Sequence, residues 1–311
     1  MNGTIAVVGG ATVDIAGFPD GKLVLHDSNI GRVKTSFGGV GRNIAENCAK
    51  LGLSVEFVSA LGNDEYGRGM LADLQRKNIG VTYTRLIPDC STATYLYIAD
   101  ADGDMCCAVN DMAVIAQITP ESLSPCIPSL NAVDAVCIDA NLPEETIIYL
   151  AKTLTVPLFA DAVSAAKVQR LRGVLPYLHC LKPNRIEAEL LTGIAVTDAE
   201  SAKTAAKKLV SLGVKNVFLT AGAYGTAYSS EKECGFLLPR KRDLISASGA
   251  GDAFTAALLR SFLHGASLRE SCVAGMSAAT IAIESESAVN PDMSEELLCR
   301  RIAELLDGLT F

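Results

Sequence analysis

Short apolar runs alternate with longer stretches of helical period along almost the whole chain, and this alternation restricts the fold more than any other feature. Apolar runs stand at 5–8, 55–60, 135–138, 157–160, 180–182 and 217–220. Helical patterns occupy 39–51, 67–77, 144–153, 164–175, 185–192 and 199–212, and three more close the chain at 250–264, 267–284 and 294–307. Strand, helix, strand at this spacing builds right-handed crossovers and a mainly parallel sheet covered by helices on both faces, a three-layer α/β/α arrangement. Two stretches break the rhythm, 14–36 and 90–115, the second with a hairpin pattern around Asp102-Gly103. We expect them to pair as one small β-sheet lid over the C-terminal edge of the main sheet, where open α/β sheets bind ligands. No repeat or low-complexity linker divides the chain, so residues 1–311 are expected to form a single domain.

Composition excludes several function classes. The chain is 49% hydrophobic, enough for a large core, but only 5% aromatic and without Trp, a poor basis for stacking single-stranded nucleic acid. The net charge is −8 and the only basic run, Arg240-Lys241-Arg242, is bounded by Asp243. Neither nucleic acid nor an anionic membrane is an expected partner. Ten cysteines lie scattered without a C-x-x-C pair and there are three His, so zinc spacing is missing and reduced, buried cysteines are expected. The chain passes from Met1 straight into a strand, and no apolar run approaches the roughly 20 residues of a membrane span. A soluble, cytoplasmic protein is expected.

The chemistry concentrates at Ser248-Gly249-Ala250-Gly251-Asp252, which runs into an apolar helix. A glycine turn at a helix start leaves backbone N–H groups aimed outward in the positive end of the helix dipole, an anion hole for phosphate oxygens. Asp252 would sit inside it, placed to take a proton from a hydroxyl. Taken alone, it fits a capping Asp equally well. Gly38-Gly39 with Asn43 opens another helix and offers close backbone approach plus an amide for hydroxyls. Asp14, just past Gly9-Gly10, can accept from a vicinal diol or simply close a turn. In Lys182-Pro183-Asn184-Arg185-Ile186-Glu187, Asn184 and Glu187 share one helix face, suited to Mg²⁺ waters around a polyphosphate or to a capping box. Thr220, Gly222 and Gly225 form a turn after a strand, suited to a nucleotide or to ordinary chain reversal. The G-x-x-x-x-G-K-[ST] loop is absent, and Gly39-Val40-Gly41-Arg42-Asn43-Ile44 fails the dinucleotide fingerprint at its third glycine.

In this order, ending in Gly-Ala-Gly-Asp, these elements resemble the ribokinase-like (PfkB) family of sugar and nucleoside kinases, from Val7 to about Asn290. The resemblance implies ATP-dependent phosphorylation of a primary hydroxyl with Mg²⁺ as cofactor. It assigns Asp252 as catalytic base and Gly249, Ala250 and Gly251 as the anion hole. It assigns Asn184, Thr220, Gly222, Gly225 and Ser248 to ATP and Glu187 to Mg²⁺ through water. Asp14, Gly38, Gly39 and Asn43 match the sugar-binding set. Loose phosphoryl transfer is mostly positioning and charge neutralisation, so a carboxylate suffices as a base that takes its proton late.

Further elements resemble members that act on a uracil-bearing nucleoside: Asp27-Ser28-Asn29, Asn110-Asp111-Met112, Asp139-Ala140-Asn141, Asp161-Ala162-Val163-Ser164 through Lys167, and Asn290-Pro291-Asp292. They offer Ser28, Asn29, Asn110, Asp111, Asn141 and Lys167 for the ribose and the base edge. Lys167 also reads as a solvated helix lysine, and Ser28-Asn29 as lid structure. Many relatives carry an Asp two residues before the hydroxyl residue of the final motif, where it helps hold K⁺. Here that position is Ser246, which puts K⁺ activation in doubt. Kinases for other nucleosides (inosine, uridine, adenosine) or for ribose or fructose share the scaffold, as would a non-catalytic nucleoside or sugar sensor. An exposed lid edge invites pairing of two copies into a homodimer.

Overall fold

The computed structural model describes residues 3–100, 105–240 and 244–307. The expected turn at Asp102-Gly103, the start of the chain at Met1, and Lys241, Arg242 and Asp243 of the basic run lie outside the described residues.

Among the described residues the main sheet has eight strands. Six are parallel: β4 (Ser54–Val58), β1 (Thr4–Val8), β9 (Ala135–Asp139), β10 (Leu158–Asp161), β11 (Cys180–Lys182) and β12 (Asn216–Thr220), in that spatial order. β13 (Thr226–Ser230) and β14 (Cys234–Leu237) extend the β12 side as antiparallel strands. Only short turns separate them, too short for the helical crossover that a parallel strand needs.

Successive residues of the central strands feed two separate cores, because side chains alternate across a sheet. Ala6, Val8, Val136, Ile138, Leu158, Ala160, Val217 and Leu219 pack on one face. That face is covered by α5 (Glu144–Thr153), α6 (Arg185–Thr192) and α7 (Ala199–Ser211), with the single-turn helices α3 (Pro120–Leu123) and α4 (Ile127–Leu130) contributing Leu123 and Leu130. Ile5, Val7, Ala135, Cys137, Phe159 and Phe218 pack on the other, under α1 (Val40–Lys50), α2 (Glu65–Arg76), α8 (Ala250–Leu263), α9 (Leu268–Ile283) and α10 (Glu295–Asp307). The strands are thus apolar on both faces, as a doubly covered parallel sheet demands.

The segments expected to form a small sheet do pair with each other. β3 (Gly31–Gly38), β2 (Thr12–Pro19), β7 (Thr94–Ala99) and β8 (Met105–Asp111) lie in that order as a separate four-stranded sheet. β2 begins four residues after β1 ends, so this sheet rises from the C-terminal edge of the main one. A two-stranded sheet of β5 (Ala60–Gly62) and β6 (Arg85–Ile87) was not expected; the run read as one strand over 55–60 breaks between Val58 and Ala60. The stretch 164–175, read as an α-helix, is instead a 3₁₀ segment, Val168–Tyr177. The chain enters it through Val163 at φ 65 and carries Pro176 inside it, which denies the segment regular α-helical hydrogen bonding.

Candidate active site

Five elements meet at one place. β9, β10 and β11 are parallel neighbours, and the charged residues Asp139, Asp161 and Lys182 stand at their C-terminal ends in register. The N-terminal turns of α1 and α8 face them. All three residues are buried, as are Asp252 on α8 and Glu187 on α6.

The local chain explains the α8 turn. Gly249 is the N-cap, at φ 78, and a Cβ there would stand 1.7 Å from the Ala288 carbonyl oxygen, so only glycine fits. Among the described residues no side chain caps this helix start. Its first amides, from Ala250 to Asp252, therefore have no helical partner and present a positive pole. Gly251 leaves room for Lys182, whose Nζ lies 2.6 Å from where a Cβ would be.

Asp252 does not cap its own helix. Its Oδ2 accepts from Asn43 Nδ2 on α1 at 2.9 Å. Burial raises the carboxyl to about 7, the nearby Asp161 charge adds to this, and the Asn43 bond and the Lys182 ammonium oppose it. Lys182 Nζ pairs with Asp161 Oδ2 at 2.9 Å, and Thr255 Oγ1 donates to the same oxygen at 2.9 Å. Burial disfavours the Lys182 cation, but Asp161, Asp252 and Glu187 more than compensate and hold its pKa above the usual lysine value. Asp139 accepts backbone N–H bonds from Gly10 (2.9 Å), Gly41 (2.7 Å) and Asn141 (2.9 Å), tying the turn after β1, the start of α1 and the end of β9 together. Burial lifts it to about 6 against those bonds. The cluster so assembled holds more buried carboxyl groups than buried cations, an arrangement suited to receiving positive charge.

The other expected residues are distributed over the small sheet, the strand ends and the start of α6. Asp14 on β2 accepts from Thr12 Oγ1 at 3.0 Å, and its Oδ2 fills the space where a Cβ on Gly38 would stand. Burial raises its pKa, with the Thr12 bond and the Arg42 charge pulling the other way. Cross-strand register puts Asp14 in one row with Ser36, Tyr95 and Asn110. These four share a face of the small sheet, and Tyr97 and Phe18 continue it, Tyr95 to Tyr97 at 5.9 Å and Phe18 to Tyr97 at 6.3 Å between ring centres. Asp111 belongs to the opposite face with Thr94 and Val13, and its Oδ1 accepts from Ala113 N. Lys167 Nζ bonds Asn141 Oδ1 at 2.6 Å, joining two expected base-edge residues; burial lowers the lysine pKa. Ser28 and Asn29 are exposed on the β2–β3 connection. Asn29 spends its amide there, on Val24 N, Val24 O and Asp27 O, and Ser28 N bonds Asp27 Oδ1. The structure brings neither into the buried cluster.

On the α6 and β12 side, the capping box is present: Asn184 Oδ1 accepts from Glu187 N at 3.0 Å, and Glu187 Oε2 accepts from Asn184 N at 2.7 Å. Burial raises the Glu187 carboxyl. Asn184 and Thr220 bridge as parallel neighbours, Thr220 N donates to Pro183 O at 2.9 Å, and Gly222 and Gly225 both turn at positive φ. Ser248 is exposed, its N–H bonded to Ser246 Oγ at 3.2 Å.

Asp139, Asp161 and Lys182 stand within sequence motifs that carry no assigned role for them. Their signal was a charged residue at the end of three successive apolar strands. Tyr95 left no such signal, because only strand register sets it between Asp14 and Asn110.

Comparison with known proteins gives this arrangement a class. The model of the pfkB family of carbohydrate kinases matches residues 2–295. The chain is 35% identical to the pseudouridine kinase of Escherichia coli over 292 residues, 93% of each chain. It is 29% identical to the guanosine-inosine kinase of Exiguobacterium acetylicum, over 94% of this chain and 99% of the relative. A crystal structure of a putative sugar kinase from Clostridium perfringens superposes with a TM-score of 0.88 at 30% identity, over 97% of this chain and 96% of that one. The chain belongs to the PfkB family, whose members are ATP-dependent phosphotransferases. Among the described residues no helix is long and apolar enough to cross a membrane.

Proposed function

We propose that the chain transfers the γ-phosphoryl group of ATP to the 5′-hydroxyl of pseudouridine. The observation that carries the phosphotransfer reading is the meeting of α1 and α8, where Asn43 holds the Asp252 carboxylate inside a helix N-terminus that only glycine can build. The choice of acceptor is supported by the likeness to the Escherichia coli pseudouridine kinase over 93% of both chains.

In this mechanism Asp14 and Asn43 hold the ribose hydroxyls beside the Gly38-Gly39 backbone. Asn110 and the Asn141–Lys167 pair meet the base edge, and Ser28 and Asn29 join them only when the β2–β3 connection, where Asn29 spends its amide locally, folds over the bound nucleoside. A raised pKa makes Asp252 a better proton acceptor than an ordinary carboxylate, while Asn43 and Lys182 keep it from staying protonated. It takes the 5′-hydroxyl proton as the oxygen engages phosphorus. The Gly249, Ala250 and Gly251 amides and the Lys182 ammonium face the charge on the transferring group. Thr220, Gly222, Gly225, Ser248 and Asn184 hold the nucleotide. The small sheet acts as the lid that keeps water from competing.

The excess of buried carboxyl groups fits Mg²⁺. Among the described residues no set of three His, Cys, Asp or Glu side chains could hold a metal, which suits an ion carried on phosphates and waters, with Glu187 holding the waters. When bound, Mg²⁺ would neutralise charge on the phosphate oxygens. The reading needs no K⁺, and Ser246 spends its hydroxyl on Ser248 N.

A second reading, a purine nucleoside as acceptor, is favoured by the likeness to the guanosine-inosine kinase. The deciding experiment measures kcat/KM with Mg·ATP for pseudouridine, uridine, inosine, adenosine, ribose and fructose. The account expects pseudouridine to lead. Inosine in the lead would transfer the assignment to the purine reading and discard the base-edge roles of Ser28, Asn29 and Lys167.

A further inference from the structure

We propose that Arg42 is a positioning residue, which fixes the orientation of the Asn43 amide and thereby the hydrogen bond that Asp252 receives. This inference rests on the reading of Asp252 as base.

Arg42 lies on the first turn of α1, buried to 4% exposure. Its Nη2 is held by Glu46 Oε2 at 2.5 Å, from the same helix, and by Asp73 Oδ2 at 3.0 Å, from α2. Lys77 bridges these two acids, 3.1 Å from Glu46 and 2.7 Å from Asp73. The other prong works toward the site: Nη1 donates to Phe37 O at 3.1 Å and to Asn43 Oδ1 at 3.3 Å. Asp14 of β2 also faces this guanidinium. Around Asp252 the charged groups are Asp161 from β10, Lys182 from β11 and Asp139 from β9.

The chemistry of the two side chains decides the orientation. A guanidinium carries donors only, so the end of the Asn43 amide that meets Arg42 must be its oxygen. The NH₂ end must then face Asp252, where it stands at 2.9 Å. A donor at that position favours the carboxylate over the acid. Without Arg42 the amide is free to turn, and a protonated Asp252 can donate to its oxygen instead, which stabilises the form that cannot act as base. The planar fork makes both ends of this relay at once, and a lysine, with one ammonium, does not reproduce it. The same prong ties Phe37, near the end of β3, to α1, so the small sheet and the catalytic turn share one anchor.

A double-mutant cycle tests this, with kcat measured at saturating ATP and nucleoside for Arg42→Met, Asn43→Ala and the pair. Removing Arg42 leaves Glu46 and Asp73 with Lys77 alone, so the cycle is repeated on a Glu46→Gln background with thermal unfolding recorded. The expected result is a loss of roughly tenfold in kcat for Arg42→Met, the scale of one misplaced charge-assisted hydrogen bond. That loss should vanish once residue 43 is Ala, and Arg42→Lys should not restore the rate. Losses that multiply in both backgrounds, or full kcat in folded Arg42→Met, would overturn the orientation role. Asp252→Asn separates the two layers. If it is inactive while the cycle shows no coupling, only the role of Arg42 falls; if it turns over normally, the base assignment falls first.

Discussion

Asp252 carries two opposed demands, and its surroundings meet both. A carboxylate at an anion site is repelled by the substrate it serves, and burial makes its charge costlier still. The structure answers with one amide donor, one ammonium and a helix pole rather than a full salt bridge, leaving the carboxyl near 7. In the free protein this carboxyl binds its proton more tightly folded than unfolded, so stability is lost as pH rises from about 4 toward 7. Two outcomes follow. The kcat/KM for nucleoside should rise with pH along a limb of unit slope centred near or below 7, since bound positive charge lowers it. Asp252→Asn should raise the Tm at pH 8, with the gain disappearing toward pH 4; a Tm that falls at pH 8 in a folded protein would show that the buried charge stabilises the fold. Steady-state rates across pH 5–9 and calorimetry across pH 4–9 check both.

At the scale of elements, the positions of functional groups follow from where helices and strands end. The alternation of apolar runs made the six parallel strands and their covering helices legible, and the glycine-led starts of α1 and α8 marked the catalytic edge. β13 and β14 were less legible as sheet extensions, since a β-rich tail after the last crossover reads equally as loop. The 3₁₀ segment Val168–Tyr177 carries a helical apolar pattern, and the entry at Val163 (φ 65) together with Pro176 tells it from an α-helix. Asn184 and Glu187 illustrate a different limit. Their spacing specified the capping box, and that box is what the structure holds, so a metal role must coexist with the cap. Asp14, Tyr95 and Asn110 lie far apart in sequence and become neighbours only through the register of three strands. Arg42 did leave a trace, an Arg four residues before Glu46 on an otherwise apolar helix face, but its partner Asp73 comes from another element.

For the whole molecule, the small sheet is the part with two open sides to account for. Its Asp14 face serves the site in the proposed mechanism. On the opposite face Val33, Leu96 and Val109 are exposed, at 74%, 42% and 71%. Apolar residues on a sheet whose edge strands are unpaired favour association, and the account expects two copies to pair through this sheet. Sedimentation at micromolar concentration should give a dimer, and Leu96→Lys with Val109→Lys should give monomers; a monomeric native protein would remove the dimer from the account. The chemistry at Asp252 is tested by phosphorylation of pseudouridine by Mg·ATP in the native protein and in Asp252→Asn, with the product's phosphate located by ³¹P NMR. The account predicts pseudouridine 5′-phosphate from the native protein and a kcat lower by a factor on the order of 10²–10⁴ in the variant, the usual contribution of a general base. Undiminished turnover in Asp252→Asn, or phosphate on another hydroxyl, would contradict it.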